Sequence, residues 1–239
     1  MRQPGHSTGN GSRRTRMPAA SRRRRAAPAR SPSLMQQAYD SLKMAIITME
    51  YRPGECIVES QIGQRLRFGR TPVHEAVARL ALEGMLDILP RKGIVVRPLS
   101  LEEVLATVEA RLIIEPACAR LAAERASDEE IGEIAAILGR GRSMLTRRDV
   151  KGLMLTDRAY HNAIARAARN PALEAILQRL HERSLRFWFV SLSDAKHLMQ
   201  VDDEHHAVLR ALRRHDGPAV EKAVRAHIES FRETIKASI

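Results

Sequence analysis

The sequence predicts a mainly α-helical protein: an N-terminal winged helix-turn-helix followed by an all-α antiparallel six-helix bundle. Three observations carry that fold class. Apolar residues recur at steps of three and four through most of the chain. The one β-prone stretch is a pair of short runs joined by PRKG, directly after three helical segments. Cap and turn signals then divide the second half into six helical segments with short links.

Composition sets the limits. A chain of 239 residues, 44% hydrophobic, can bury a real core. No apolar run approaches the roughly 18 residues of a membrane span, so no membrane partner is expected. Cys56 and Cys118 stand far apart without CxxC spacing, which argues against a disulfide framework or a thiolate zinc site. A reducing cytoplasm and two buried thiols are expected instead.

The net charge of +12 is unevenly placed. Residues 1–33 hold nine arginines and no acid; residues 34–99 hold nine Lys/Arg against seven Asp/Glu, and residues 100–239 hold 22 against 21. A basic partner surface must therefore come from the tail or from local placement of charge. Residues 1–33, rich in Gly, Ser, Pro and Arg, lack the apolar surface to offset ordering entropy and read as a disordered basic tail. They carry no apolar signal region. RRRR at 22–25 suits phosphate contact, and a merely solvated extension fits equally well.

From Leu34, the spacing Leu34, Ala38, Leu42, Ala45, Ile46, Met49 predicts a first helix, stopped by RPGE at 52–55. A short second helix covers about 59–66. The third starts at Thr71-Pro72, where a hydroxyl can cap and proline suits the first turn, and Gly84 ends it. Leu86–Leu89 and Gly93–Arg97 form the hairpin. Residues 34–99 thus make the winged module, whose third helix would enter a major groove. In the helical domain, 100–239, Ser100-Leu-Glu-Glu103 and Ser127-Asp-Glu-Glu130 fit the capping box, Asp149 caps a third helix, and Asn170-Pro171 starts a fourth. Two more run at about 195–214 and 218–236, separated by HDGP. Pro116 predicts a kink or break near Glu115.

RPGECIVESQIGQRLRFGRTPVHEAVARLALEGML, residues 52–86, resembles the DNA-binding domain of GntR-type bacterial transcription regulators. RLIIEPACARLAAERA (111–126), DRAYHNAIARAARN (157–170) and DEHHAVLRALRRHDGPAVEKAVRAHI (203–228) resemble the FCD effector domain of the FadR subfamily, with the helix count of its VanR-like six-helix branch. The resemblance implies a ligand-responsive repressor, homodimeric, on double-stranded operator DNA in the bacterial cytoplasm. By that likeness Arg70 and Thr71 contact DNA. Where the family has Gly-Val-Ser, this chain has Arg67-Phe68-Gly69, and His74 replaces a second arginine. Arg67 then offers a substitute charge, while His74 is a weaker phosphate or guanine partner. Arg91, Lys92 and Gly93 in the hairpin turn are candidate wing contacts.

Asp157 and His161 share the inward stripe Leu153, Asp157, Tyr160, His161, Ile164, Ala168. A buried carboxylate there needs a core arginine, a hydrogen-bonded histidine, or a shared metal. His205 is in phase with Val201, Val208 and Leu212; His227 is in phase with Val220, Val224, Ile228 and Phe231. Three helices thus aim one carboxylate and three imidazoles at one interior, a plausible site for a divalent Zn, Ni or Mn ion. The FCD resemblance assigns metal ligation to these four positions. His181, His197, His206 and His215 show no such convergence and read as surface histidines. Arg111 either pairs with Glu115, four residues on, or clamps the carboxylate of a small organic acid effector, with Tyr160 nearby. A metal-dependent enzyme and a regulator with a purely structural metal are the competing readings.

Overall fold

The computed structural model describes residues 32–91, 93–98, 100–191 and 195–237; most of the basic tail, the candidate DNA contact Lys92 and residues 192–194 lie outside them. Ser33 belongs to the fold rather than to the tail. Its side chain accepts from the Gln36 N–H and caps α1, Leu34–Ile47. The inward residues of α1, Ala38, Leu42, Ala45 and Ile46, meet Val73, Ala76, Val77 and Leu80 of α3, Arg70–Leu82. Between them α2, Glu59–Leu66, contributes Ile62. Gly84, at φ +73°, follows α3, as expected of a terminating glycine.

The wing has three strands rather than two. β1, Cys56–Ile57, pairs antiparallel with β3, Gly93–Val96, which also pairs with β2, Leu86–Leu89, so the order is β1-β3-β2. Two residues are too short to leave a period in the sequence. Gly93 has φ +96°, and a Cβ there would stand 3.2 Å from the Ile57 carbonyl, so glycine lets β1 close on β3. Cys56 is exposed, against the expectation of two buried thiols; Cys118 is buried.

The second part is an all-helical bundle of α4 (Leu101–Arg125), α5 (Asp128–Arg147), α6 (Val150–Ala167), α7 (Pro171–Ser191), α8 (Ala195–Leu212) and α9 (Gly217–Ala237). α4 packs against α6, α7, α8 and α9. Ser127 and Glu130 form the complete capping box, and Asp149 caps α6 through the Gly152 N–H. At α4 only half of the box forms. Ser100 accepts from the Glu103 N–H, but the Glu103 carboxylate turns to Arg97. α4 also runs unbroken through Pro116. Proline leaves the carbonyl four residues earlier without its donor, and Arg225 of α9 donates to that Leu112 carbonyl at 3.3 Å. Tertiary packing therefore supplies the bond whose loss predicted the break.

Among the described residues no helix is long and apolar enough to cross a membrane. The winged module meets the bundle through α1 and α7. Lys43 of α1, almost fully buried, pairs with Glu83 at 2.7 Å and with Glu182 of α7. Glu182 also accepts from Arg158 of α6 at 2.6 Å.

Candidate functional site

Helices α6, α8 and α9 bring Asp157, His161, His205 and His227 together. One nitrogen from each imidazole lies within 4.8 Å of those of the other two, and all three rings are buried. Asp157 Oδ1 stands 3.6 Å from His161 Nε2 and 3.5 Å from His205 Nε2. Those spacings are close to the edge of a coordination tetrahedron with bonds of ~2.0–2.1 Å, which is about 3.3 Å. They are long for hydrogen bonds. His205 Nε2 is buried and has no hydrogen-bond partner, a costly arrangement that a bound cation would relieve.

Two further carboxylates fix the rings from behind. His161 Nδ1 is 2.9 Å from Glu115 Oε1, and His227 Nδ1 is 2.9 Å from Glu204 Oε2. A carboxylate on one ring nitrogen sets the tautomer and leaves the other as the electron-pair donor, the usual support of a metal-binding histidine. The donor set of three imidazoles and one carboxylate suits a divalent transition ion.

Electrostatics agree with this geometry. Burial would raise the Asp157 carboxyl, but His161, then His205 and His227, hold it well below the usual carboxylate range. Burial would lower His161, but Asp157 and Glu115 push it up to about 9. Burial, followed by the nearby His227, holds His205 well below the ordinary imidazole value. In the metal-free cluster one imidazole thus keeps its proton between two acids, a proton that a metal would displace, while another is held neutral.

His181 corrects the sequence reading. It is buried on α7, not at the surface, with Nε2 2.9 Å from Glu115 Oε1, and Glu115, His161 and His181 form a second close group that shares His161. Its ring nitrogens lack hydrogen-bonding geometry to any partner. Burial, aided by Arg111 and His161 against Glu115, pushes it down to about 4. The signal was available: Leu177, His181, Leu185 and Trp188 follow helical steps and are all buried. His197 is also buried, whereas His215 is exposed and His206 lies between. Glu204 went unnoticed because a charged residue beside Asp202 and Asp203 reads as a solvated face.

Arg111 donates through Nε to Glu115 Oε2 at 2.8 Å, the ion-pair alternative. It also lines a cavity of about 20 Å³ with Asp157, His227, Trp188 and Phe231. That volume admits about one water. Tyr160 is fully buried, and its hydroxyl donates to the His205 carbonyl at 3.2 Å, so it steadies a cluster histidine.

On the winged module, Arg67, Arg70, Thr71, His74 and Arg91 are exposed and Gly93 is half-buried. Arg70 opens α3, and Gly69 caps it without a side-chain bond. Arg67 takes the left-handed conformation, φ +60°, at the position where the family carries glycine. His74 is occupied, with Nδ1 2.8 Å from Glu59 Oε1.

Comparison with known proteins gives consistent results. Residues 34–96 match the gntR family of bacterial regulatory proteins, and residues 106–230 match the FCD domain. The chain is 25% identical over 201 residues to the HTH-type transcriptional repressor RspR of Escherichia coli K12, covering 84% of this chain and 88% of that protein. It is 26% identical over 223 residues to the galactonate operon transcriptional repressor of the same organism, covering 82% and 94%. Its fold matches E. coli McbR/YncC with a TM-score of 0.78 at 18% identity, over 87% of this chain and 99% of the other.

Proposed function

The chain belongs to the gntR family of bacterial regulatory proteins and carries an FCD domain, a family of DNA-binding transcription regulators rather than enzymes, and on that premise we propose that it is a metal-loaded, ligand-responsive repressor. It acts in the bacterial cytoplasm as a homodimer, with residues 34–99 on operator DNA and residues 100–239 as the sensor. The repressor sense follows RspR and the galactonate operon repressor, to which the chain is similar. Exposed Ile113 on α4, with Ala106 and Ala117 exposed on the same helix, supports pairing of two bundles.

The observation that carries the metal reading is the orphaned His205 Nε2, 3.5 Å from Asp157 Oδ1 inside a ring of three imidazoles. Asp157, His161, His205 and His227 would hold a divalent Zn, Ni or Mn ion. Once bound, the ion supplies a fixed positive charge and a cross-link among α6, α8 and α9. Arg111 then sits at the edge of the cluster for an effector carboxylate, which would have to exchange with Glu115 and enlarge the small cavity. The purely structural metal gains from that small volume.

At the DNA end, Arg70 and Thr71 at the start of α3 reach base edges and phosphate, Arg67 and His74 flank them, and Arg91, Lys92 and Gly93 form the wing contact. Asp157 and Arg158 are neighbours in the chain, as are His181 and Glu182. One of each pair faces the cluster and the other faces the interdomain ion pairs. A change at the cluster thereby reaches Lys43 through two short links, and its effect on DNA equals its differential affinity for the two arrangements.

Elemental analysis of purified wild-type and His161→Ala protein tests the metal: one equivalent per chain is expected in the first and none in the second. Full metal in the variant would overturn the assignment.

A further inference from the structure

A charged recess at the junction of winged module and bundle is separate from the histidine cluster. It is a cleft of about 300 Å³ between the end of α3, the chain leaving β3, and helices α4 and α7. That is the lower end of the range for small-molecule pockets and far above the 20 Å³ beside the cluster. Met85, Val104 and Phe187 give it an apolar side.

Three guanidinium groups line it. Arg97 comes from the segment after β3; Arg183 and Arg186 lie one turn apart on α7. Arg97 Nη1 and Arg183 Nη2 stand 3.3 and 3.8 Å from the point where a Cβ on Gly84 would be, so two cations from different parts of the molecule converge on one glycine. Glu103 is the acid in the lining, and it is taken by Arg97 Nη2 at 2.6 Å. Three cations against one anion leave two positive charges.

Arg186 shows that this is a built site rather than a solvated patch. It is 5% exposed, its Nη2 donates to the Arg97 carbonyl at 2.7 Å, and its Nε–H is buried without an acceptor. A buried guanidinium with an unused donor costs free energy until an anion meets it. Burial, with Arg97 adding to it against Glu103, pushes Arg186 down to about 10, consistent with a missing counter-charge.

We propose that this interdomain cleft binds a small dianion, a phosphate monoester or a dicarboxylate, held by Arg97, Arg183 and Arg186 with its carbon skeleton against Met85 and Phe187. Guanidinium groups suit both head groups because their paired N–H bonds match planar carboxylate and phosphate edges. The cleft lies at the C-terminal end of α3, away from the Arg70 end, so operator phosphates do not fill it. A ligand there bridges the wing to α7 and biases the seam directly, independently of the metal reading.

Calorimetric titration of the full-length, metal-loaded protein with succinate and with glycerol 3-phosphate, in chloride buffer, tests this. One equivalent of at least one dianion is expected, and which of the two binds identifies the head group. Arg183→Gln, at an exposed position, and Arg97→Gln should each weaken binding at least tenfold. Metal-stripped protein should bind as wild type does. Absence of binding by both probes, unchanged affinity in Arg183→Gln, or binding that vanishes with the metal would overturn the proposal; the last would move the anion to the bundle cluster.

Discussion

Lys43 and Glu182 form a buried ion pair between the winged module and the bundle, and Glu182 directly follows His181, whose ring lies against Glu115 in the histidine cluster. The contact joining DNA-binding and sensing parts is therefore one residue from the proposed sensor. Glu182 serves both Lys43 and Arg158, so its loss strands Arg158 and leaves Lys43 to Glu83 alone.

Glu182→Gln should lower unfolding free energy by about 2 kcal/mol, because two charge-assisted hydrogen bonds are weakened while Glu83 still faces Lys43. Chemical denaturation of the full chain measures it. Limited proteolysis should also cut sooner in residues 97–101. A change under ~0.5 kcal/mol would mean that Lys43 and Arg158 find other partners.

Glu204 is expected to support His227 without touching metal. Glu204→Gln should weaken metal affinity by roughly 10–100-fold while leaving a full equivalent at saturating metal. Competition with a chromophoric chelator separates this from His227→Ala, which should lose stoichiometric metal. Equal losses in both variants would make Glu204 a ligand itself.

The pH dependence of the metal-free protein follows from two histidines shifted in opposite directions. His161, raised to about 9, stabilises the fold fully below the ordinary value of 6.5, and that contribution disappears as pH rises from 6.5 to about 9. His181, lowered to about 4, destabilises the fold as pH falls from 6.5 towards 4, because only the unfolded chain takes up the proton. Metal-free protein should thus melt highest near pH 6.5. His161→Ala should flatten the alkaline side, and a melting temperature still rising from pH 6.5 to 9 would contradict the placement of His161 between two carboxylates.

Arg67→Gly should stabilise the fold by about 1 kcal/mol, since a left-handed non-glycine residue is strained. If Arg67 contacts a phosphate, the same change should reduce the salt dependence of operator binding by about one unit of slope. Arg70→Ala should cost more, about 1–3 kcal/mol, with relaxed sequence preference. Fluorescence anisotropy across a salt series reads both variants. An unchanged slope in Arg67→Gly would remove Arg67 from the interface.

Much of the fold was legible because its signals are local. Ser127, Asp149 and Gly84 act at their own chain positions, and the phases of Asp157, His161, His205 and His227 follow from helical geometry alone. Two misses have physical causes. β1 is too short to carry a period, and its pairing to β3 lies almost forty residues away. The missing bond at Pro116 is replaced by Arg225 of α9, a donor more than a hundred residues distant in sequence.

By itself, then, the sequence determined the helices, most of their inward faces, the winged plan and the four candidate ligands, since each depends on spacing within one element. Only the tertiary structure decided which inward groups meet. It buried His181 against Glu115, set Glu204 behind His227, gave Arg111 to Glu115, and gathered Arg97, Arg183 and Arg186 around one cleft. The reason is that phase places a side chain on a face, whereas its partner depends on which helix packs there and on the depth at which the two cross.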